Sequence, residues 1–329
     1  MKNTFKNHSW EFFIGAMVLL AAGWATSLSP YYLDTQQLLF SSRNLVFTGV
    51  MGLGLTLVIL TGEMDLSLPS ILAVCTVLLS KASAAGLPLP LALVGITVVA
   101  LALGALNGLL VAKLRLPALA VTLGTSGAYR GLAFIIGSEV GYTGFDDRYK
   151  WLGAAKLGTG SVPVMLVVFV GAVLVFWVLM HYTTFGRRCF AIGNNASAAA
   201  YSGISVVRTK MGAYMIAALT AAFGAWVFIG QFGSARGDNA NGVILGIITA
   251  VVLGGVDING GRGTILGVLL STLFLWTLRN GMGLANIPGP IQQLIIGALL
   301  VSGVLASNFL GGRIRPRPRK KATTGPSAP

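Results

Sequence analysis

The chain alternates long apolar runs with short polar interruptions. The runs lie at about residues 10–28, 45–60, 71–85, 89–112, 118–137, 162–180, 211–232, 242–255, 264–278 and 291–310. A helix needs about 20 apolar residues to cross a bilayer. The pattern therefore predicts an all-α polytopic membrane protein of about ten transmembrane helices. Several runs are shorter than that and dotted with glycine, which predicts broken helices. The interruptions are Ser29-Pro30, TGEMDLSLPS, Gly86-Leu87-Pro88, Lys113–Pro117, 138–161, 181–210, GSARGDNAN, VDINGGRG and 279–290. Residues 1–9 form a polar tail, 10–310 the transmembrane domain, and 311–329 a basic tail rich in Pro, Ser and Thr that is expected to be disordered.

The interruption at 181–210, HYTTFGRRCFAIGNNASAAAYSGISVVRTK, carries a helix signal of its own. Asn194 and Asn195 are N-cap types, Ala196 to Tyr201 is small and helix-competent, and Gly203 can end the helix. Arg187, Arg188, Arg208 and Lys210 flank it without an acidic counterpart. A short helix framed by positive charge between two spans is either a solvated connection or a docking surface. A second pattern is an internal echo. GEMDLS at 62–67 and GGVDIN at 254–259 each end an apolar run, and each is followed by an Ile-Leu pair. Transporters often contain such repeats, with sites where the broken helices meet.

Composition sharpens the class. The 329 residues are 55% hydrophobic and 10% charged, against about 25% charged in soluble domains. The 44 glycines suit close packing of membrane helices. The net charge of +14 does not indicate nucleic acid, because the basic residues gather at the ends of apolar runs. Ten crossings put both termini on one side, and 15 of the 23 basic residues fall on that side. The positive-inside rule then puts both termini and the 181–210 segment in the cytoplasm. The first run is expected to be a retained span rather than a cleaved signal peptide.

Candidate chemistry is sparse. His8 and His181 form no metal or acid–base pair, Cys75 and Cys189 imply neither disulfide nor metal, and no phosphate-binding GxxxxGK[ST] loop occurs. No cofactor is expected on this chain. Arg130 is the basic residue well inside a run; it either lines a path for a polar solute or pairs with Glu139. Glu63, Asp65 and Asp257 sit at membrane boundaries, where capping the following helix is favoured over a site. Asn107 lies within an apolar run, where its amide needs a partner on a neighbouring helix.

Four ordered stretches carry a family resemblance: TLVILTGEMDLSLPS, ALNGLLVAKLRLPALAVTLGTSGAYRGLAF, the 181–210 segment and TAVVLGGVDINGGRGTILG. Together they resemble the permease subunit of bacterial ABC importers for monosaccharides, across about residues 10–310. SWEFF, LDTQQLLFSS and QFGSARGD are most similar to the autoinducer-2 and rhamnose permeases of that family. The resemblance implies a multi-pass inner-membrane subunit in a pair of permeases, a heterodimer rather than a homodimer. It also implies ATPase subunits that bind ATP-Mg on separate chains, and a periplasmic sugar-binding protein. It makes the short helix the coupling helix between spans 6 and 7, with Asn195, Ala196, Ala199, Tyr201 and Gly203 as ATPase contacts. Glu63, Asp65, Asn107, Arg130 and Asp257 become pathway or hinge candidates. Relatives commonly carry an acid early in the coupling segment, and this one has none. The competing expectation is an ion-coupled secondary transporter for a small polar solute, which would need an intramembrane acid.

Overall fold

The computed structural model describes residues 9–29, 31–137, 141–157 and 162–312. Each apolar run becomes a helix, and the breaks fall at Gly, Pro or polar turns. The helices are α1 (Ser9–Leu28), α2 (Thr35–Leu60), α3 (Leu68–Ala84), α4 (Leu89–Gly108, continued by a π-helical segment Leu109–Lys113) and α5 (Ala118–Gly137). Next come α6 (Asp147–Ala154), α7 (Val164–His181), α8 (Thr184–Asn194), α9 (Ala196–Tyr201) and α10 (Val206–Phe232). Last are α11 (Val243–Leu253), α12 (Ile265–Leu284) and α13 (Gly289–Gly312). Seven of them are long and apolar enough to cross a membrane: α1, α2, α4 with its extension, α5, α7, α10 and α12. The helices α3, α11 and the described part of α13 are apolar but shorter.

The helices sort into core and periphery. In α2, α10 and α12, 83%, 67% and 56% of the apolar window is buried. In α1, α4, α5 and α7 only 17–22% is. The peripheral helices are nevertheless apolar on their outer faces: Val167, Val170, Leu174 and Val178 of α7 are all exposed. Such faces are stable against lipid or another apolar helix and not against water, which explains apolar helices without a polar face. Small residues set the core spacing. A Cβ on Gly104 of α4 would stand 2.7 Å from the Tyr214 carbonyl of α10, and one on Gly108 would stand 2.8 Å from Met211 Cα. Gly54 of α2 is as close to Ala217 of α10, at 2.9 Å to its Cα. Helices that approach this closely gain dispersion contacts, the chief attraction available inside lipid.

The bundle has two distinct ends. At one end the last turn of α2, the start of α10 and the 254–264 turn meet α8. The N-terminal helix starts here too: the Trp10 indole donates to the Leu253 carbonyl (2.9 Å) and Thr264 Oγ1 to Glu11 Oε1 (3.1 Å). The opposite end is roofed by α6. The Tyr149 hydroxyl donates to the Leu87 carbonyl (2.8 Å), the Trp226 indole donates to the Tyr149 carbonyl (3.2 Å), and Tyr142 pairs with Ala235. The sequence reading missed α6, whose first turn Asp146 caps by accepting from Arg148 N (2.9 Å).

Two run boundaries differ most from expectation. The second helix starts at Thr35, not Leu45, because Asp34 caps it through Gln37 N (3.0 Å). The ninth run continues to Leu284, so Arg279, expected in a loop, is helical. In both cases polar residues at a helix end look like loop in sequence but line a cavity in the fold. Residues 313–329 of the expected tail lie outside the described residues.

Candidate functional site

The 181–210 segment folds into two helices where the sequence pointed to one. Thr183 opens α8 by accepting from Gly186 N at 3.2 Å. Asn195 then serves twice. Its N–H closes α8 on the Ala191 carbonyl (3.1 Å), and its side chain opens α9 by accepting from Ala198 N (2.9 Å). Gly203, at φ +81°, ends α9; its N–H donates to the Ala200 carbonyl and that of Ile204 to the Ala199 carbonyl, both at 3.0 Å. This is the left-handed glycine stop of a helix C-terminus. Ala199 faces inward at 5% exposure and forms the underside of α9. Asn195, Ala196 and Gly203 are exposed, and Tyr201 stands out at 95% exposure.

This hairpin rests on both echoed turns. A Cβ on Gly193 would collide with the Leu60 carbonyl and Gly261 N, so only glycine lets α8 sit there. Asn194 Nδ2 donates to the Gly261 carbonyl (3.1 Å) and to that of Phe190 (2.8 Å). The two turns also bond each other, Gly261 N donating to the Leu60 carbonyl at 2.9 Å. Gly62, Gly260 and Gly261 have φ of +79°, +85° and +76°, which side chains rarely adopt. Asp257 accepts from Asn259 N (2.9 Å) and Nδ2 (3.1 Å), so it shapes its own turn and caps no helix. Glu63 does not cap either: it forms an ion pair with Lys210 of α10. Lys210 therefore has an acidic partner, supplied from a distant turn that the segment's own sequence does not show.

Two more candidates meet deeper in the bundle. Asp65 is fully buried; its Oδ1 accepts from Ser67 N (2.8 Å) and Ser67 Oγ (2.6 Å), while its Oδ2 has no partner. Asn107 Nδ2 donates to Ser67 Oγ (2.8 Å), and the Tyr129 hydroxyl donates to Asn107 Oδ1 (3.1 Å) and to the Leu103 carbonyl (3.0 Å). This polar chain ties the α2–α3 break to α4 and α5. Ser67 and Tyr129 were missed, since neither is distinctive in sequence. Arg130, next on α5, turns the other way. Its Nη1 donates to the Gly237 and Asn239 carbonyls, at 2.8 and 2.7 Å. Asn239 Nδ2 in turn donates to Thr76 Oγ1 of α3 at 3.1 Å. Glu139, its expected alternative partner, lies outside the described residues. Backbone carbonyls outside a helix need donors, and here Arg130 supplies them to Gly237 and Asn239.

A cavity of about 400 Å³ opens between α2, α11 and α12, with Asn44, Thr48, Thr272, Trp276, Arg279 and Asn280 in its wall. A second of about 490 Å³ shares Arg279, Asn280 and Gly283 with it. Both lie toward the end opposite α8 and α9. Polar pairs at the edges of apolar runs, Arg43-Asn44 and Arg279-Asn280, were the available signal. Among the described residues no group of His, Cys, Asp and Glu is arranged to hold a metal. Both cysteines are free and buried, and burial pushes the Cys189 thiol up to about 12.

Comparison with known proteins gives a consistent picture. Residues 38–303 match the family described as branched-chain amino acid transport system / permease component. The chain is 35% identical over 307 residues to the autoinducer 2 import system permease protein LsrD of Salmonella typhimurium, covering 91% of each. It is 34% identical over 302 residues to the protein of the same name from Escherichia coli strain SMS-3-5, covering 89% of this chain and 90% of that one. No solved structure matches. A bundle of apolar helices, an exposed capped helix seated on two backbone breaks, and a match along most of its length make this chain a member of the import-system permease family, a transport subunit of the ABC importer type and not an enzyme.

Proposed function

We propose that the chain is one of two permease subunits of an ATP-driven importer in the bacterial inner membrane. It passes a sugar-like solute from a periplasmic binding protein to the cytoplasm by alternating access. Autoinducer 2 is the first candidate, because the relatives that match along nine-tenths of the chain carry it in their names. The helix α9 is the seat of the ATPase subunit. The observation that carries this is the α8–α9 hairpin itself: an exposed helix whose support is bonded to both echoed turns. Force applied at α9 reaches α2 through Leu60 and α11 through Gly261, and the far halves of both helices wall the 400 Å³ cavity. Alternating access needs helix packing with two stable arrangements, and the turns at Gly62 and Gly260-Gly261 are the hinges.

Ten crossings follow if α3, α11 and α13 also span. At 1.5 Å per residue α11 is only roughly 16 Å long, so the non-helical stretches at 233–242 and 254–263 complete its passage. With basic residues concentrated at the α8–α9 end, that end and both termini are cytoplasmic. The second permease is a related chain rather than a second copy. The ion-coupled alternative would rest on buried Asp65, which lines neither cavity described above.

The test is co-expression with the genomic neighbours, purification in detergent and an ATPase assay in lipid. An ATPase chain co-purifies with the wild type and is lost when Ala200 and Tyr201, on the outer face, are both replaced by Asp. Recovery of the protein alone, moving solute on an ion gradient without ATP, overturns the reading.

A further inference from the structure

The cavity at the end away from α9 has a distinct chemistry. Arg279 makes no hydrogen bond or ion pair among the described residues, although it projects from a membrane helix. Its guanidinium extends across to α11, where a Cβ on Gly246 would stand 2.7 Å from Nη2; the glycine makes room for it. Asn280 Nδ2 is buried and has no partner. The indole of Trp276 spends its N–H on the Ser41 carbonyl (2.9 Å) and gives the cavity wall its ring. Unpartnered donors inside a membrane protein are costly unless water or a ligand meets them. A volume of about 400 Å³ falls within the range of about 300–1,000 Å³ typical of small-molecule sites.

We propose that this cavity is a solute-binding subsite on the permease itself, for an uncharged polyhydroxylated molecule of monosaccharide size. Arg279 and Asn280 donate to its hydroxyl oxygens, Asn44 and Thr48 complete the polar side, and an apolar ring face rests on Trp276. No carboxylate lines either of the two cavities. An α-amino acid would leave its ammonium without a counter-charge, and its carboxylate alone would face Arg279. The wall therefore selects a sugar-like molecule over an amino acid, although the family's description names branched-chain amino acids. The inference rests on the permease reading and goes beyond it, because it gives the membrane subunit a selectivity of its own.

Saturation-transfer NMR on the detergent-purified importer complex reads weak binding without the periplasmic protein. The probes are D-ribose, L-rhamnose, autoinducer 2 and leucine, each offered alone. Transfer from protein to at least one of the three sugar-like probes is expected, with none to leucine. That signal falls at least fivefold in Arg279→Gln and in Trp276→Leu. Gly246→Ala, which pushes on the guanidinium from the facing helix, lowers it without touching a polar group. Sugar signals absent in the wild type, unchanged in all three variants, or matched by leucine overturn the subsite. ATP-dependent uptake by the wild-type complex is measured separately; its presence beside a failed NMR result refutes the subsite alone, and its absence refutes the permease reading.

Discussion

The Glu63–Lys210 ion pair links the start of α10 to the α2–α3 turn, immediately beside the α8–α9 hairpin. Both side chains are mostly buried, at 18% and 15% exposure. At ~4 Å and an effective dielectric of ~20 such a pair attracts by roughly 4 kcal/mol before desolvation is subtracted. Removing one partner strands the other charge, which in a buried pair costs about 3–5 kcal/mol. The residual solvent access here brings the expectation for Lys210→Met to about 2–3 kcal/mol. Glu63→Gln should cost about the same. The double variant strands no charge, so it should lose about 1–2 kcal/mol less than the sum of the two. The assay is a double-mutant cycle by reversible unfolding in mixed micelles, beside ATP-dependent uptake in proteoliposomes. The charge-reversed pair Glu63→Lys with Lys210→Glu should restore uptake that each single change depresses. Additivity within about 0.3 kcal/mol, the behaviour of independent sites, would refute the coupling, as would single losses below about 0.5 kcal/mol.

Other outcomes follow from the same geometry. Gly261→Ala combines a left-handed φ of +76° with a Cβ only 2.7 Å from Asn194 N; it should cost about 1–3 kcal/mol and lower the solute moved per ATP hydrolysed, a ratio measured in proteoliposomes. Arg130→Gln removes two charge-assisted bonds of about 1.5–3 kcal/mol each, so amide exchange across 235–242 should accelerate roughly a hundredfold by mass spectrometry, and an unchanged rate would show that Arg130 does not hold that loop. Cys189 is buried and its thiol is held near 12, so maleimide at neutral pH should label it only after denaturation; fast labelling of the native protein would show that α8 lifts from the turns beneath it.

The apolar runs by themselves determined the class, the order of the ten apolar helices and the position of the polar segment between α7 and α10. Those features are local: a run of about 20 apolar residues has one stable form in lipid, and Asn195 and Gly203 carry their helix-cap chemistry within a few residues. The importance of the two turns was also legible, since GEMDLS and GGVDIN echo each other in sequence. What they do was not, because the bonds from Gly261 to Leu60 and from Asn194 to Gly261 join positions far apart in the chain. Only the tertiary structure gave Lys210 its acid, Asn107 its partners Ser67 and Tyr129, and Arg130 the carbonyls of a distant loop. It also turned Ala199 inward and Arg279 into a cavity wall. A hydrogen bond or ion pair depends on distance in space, and a pattern of apolar and polar residues fixes which segments become helices but not which of their faces meet.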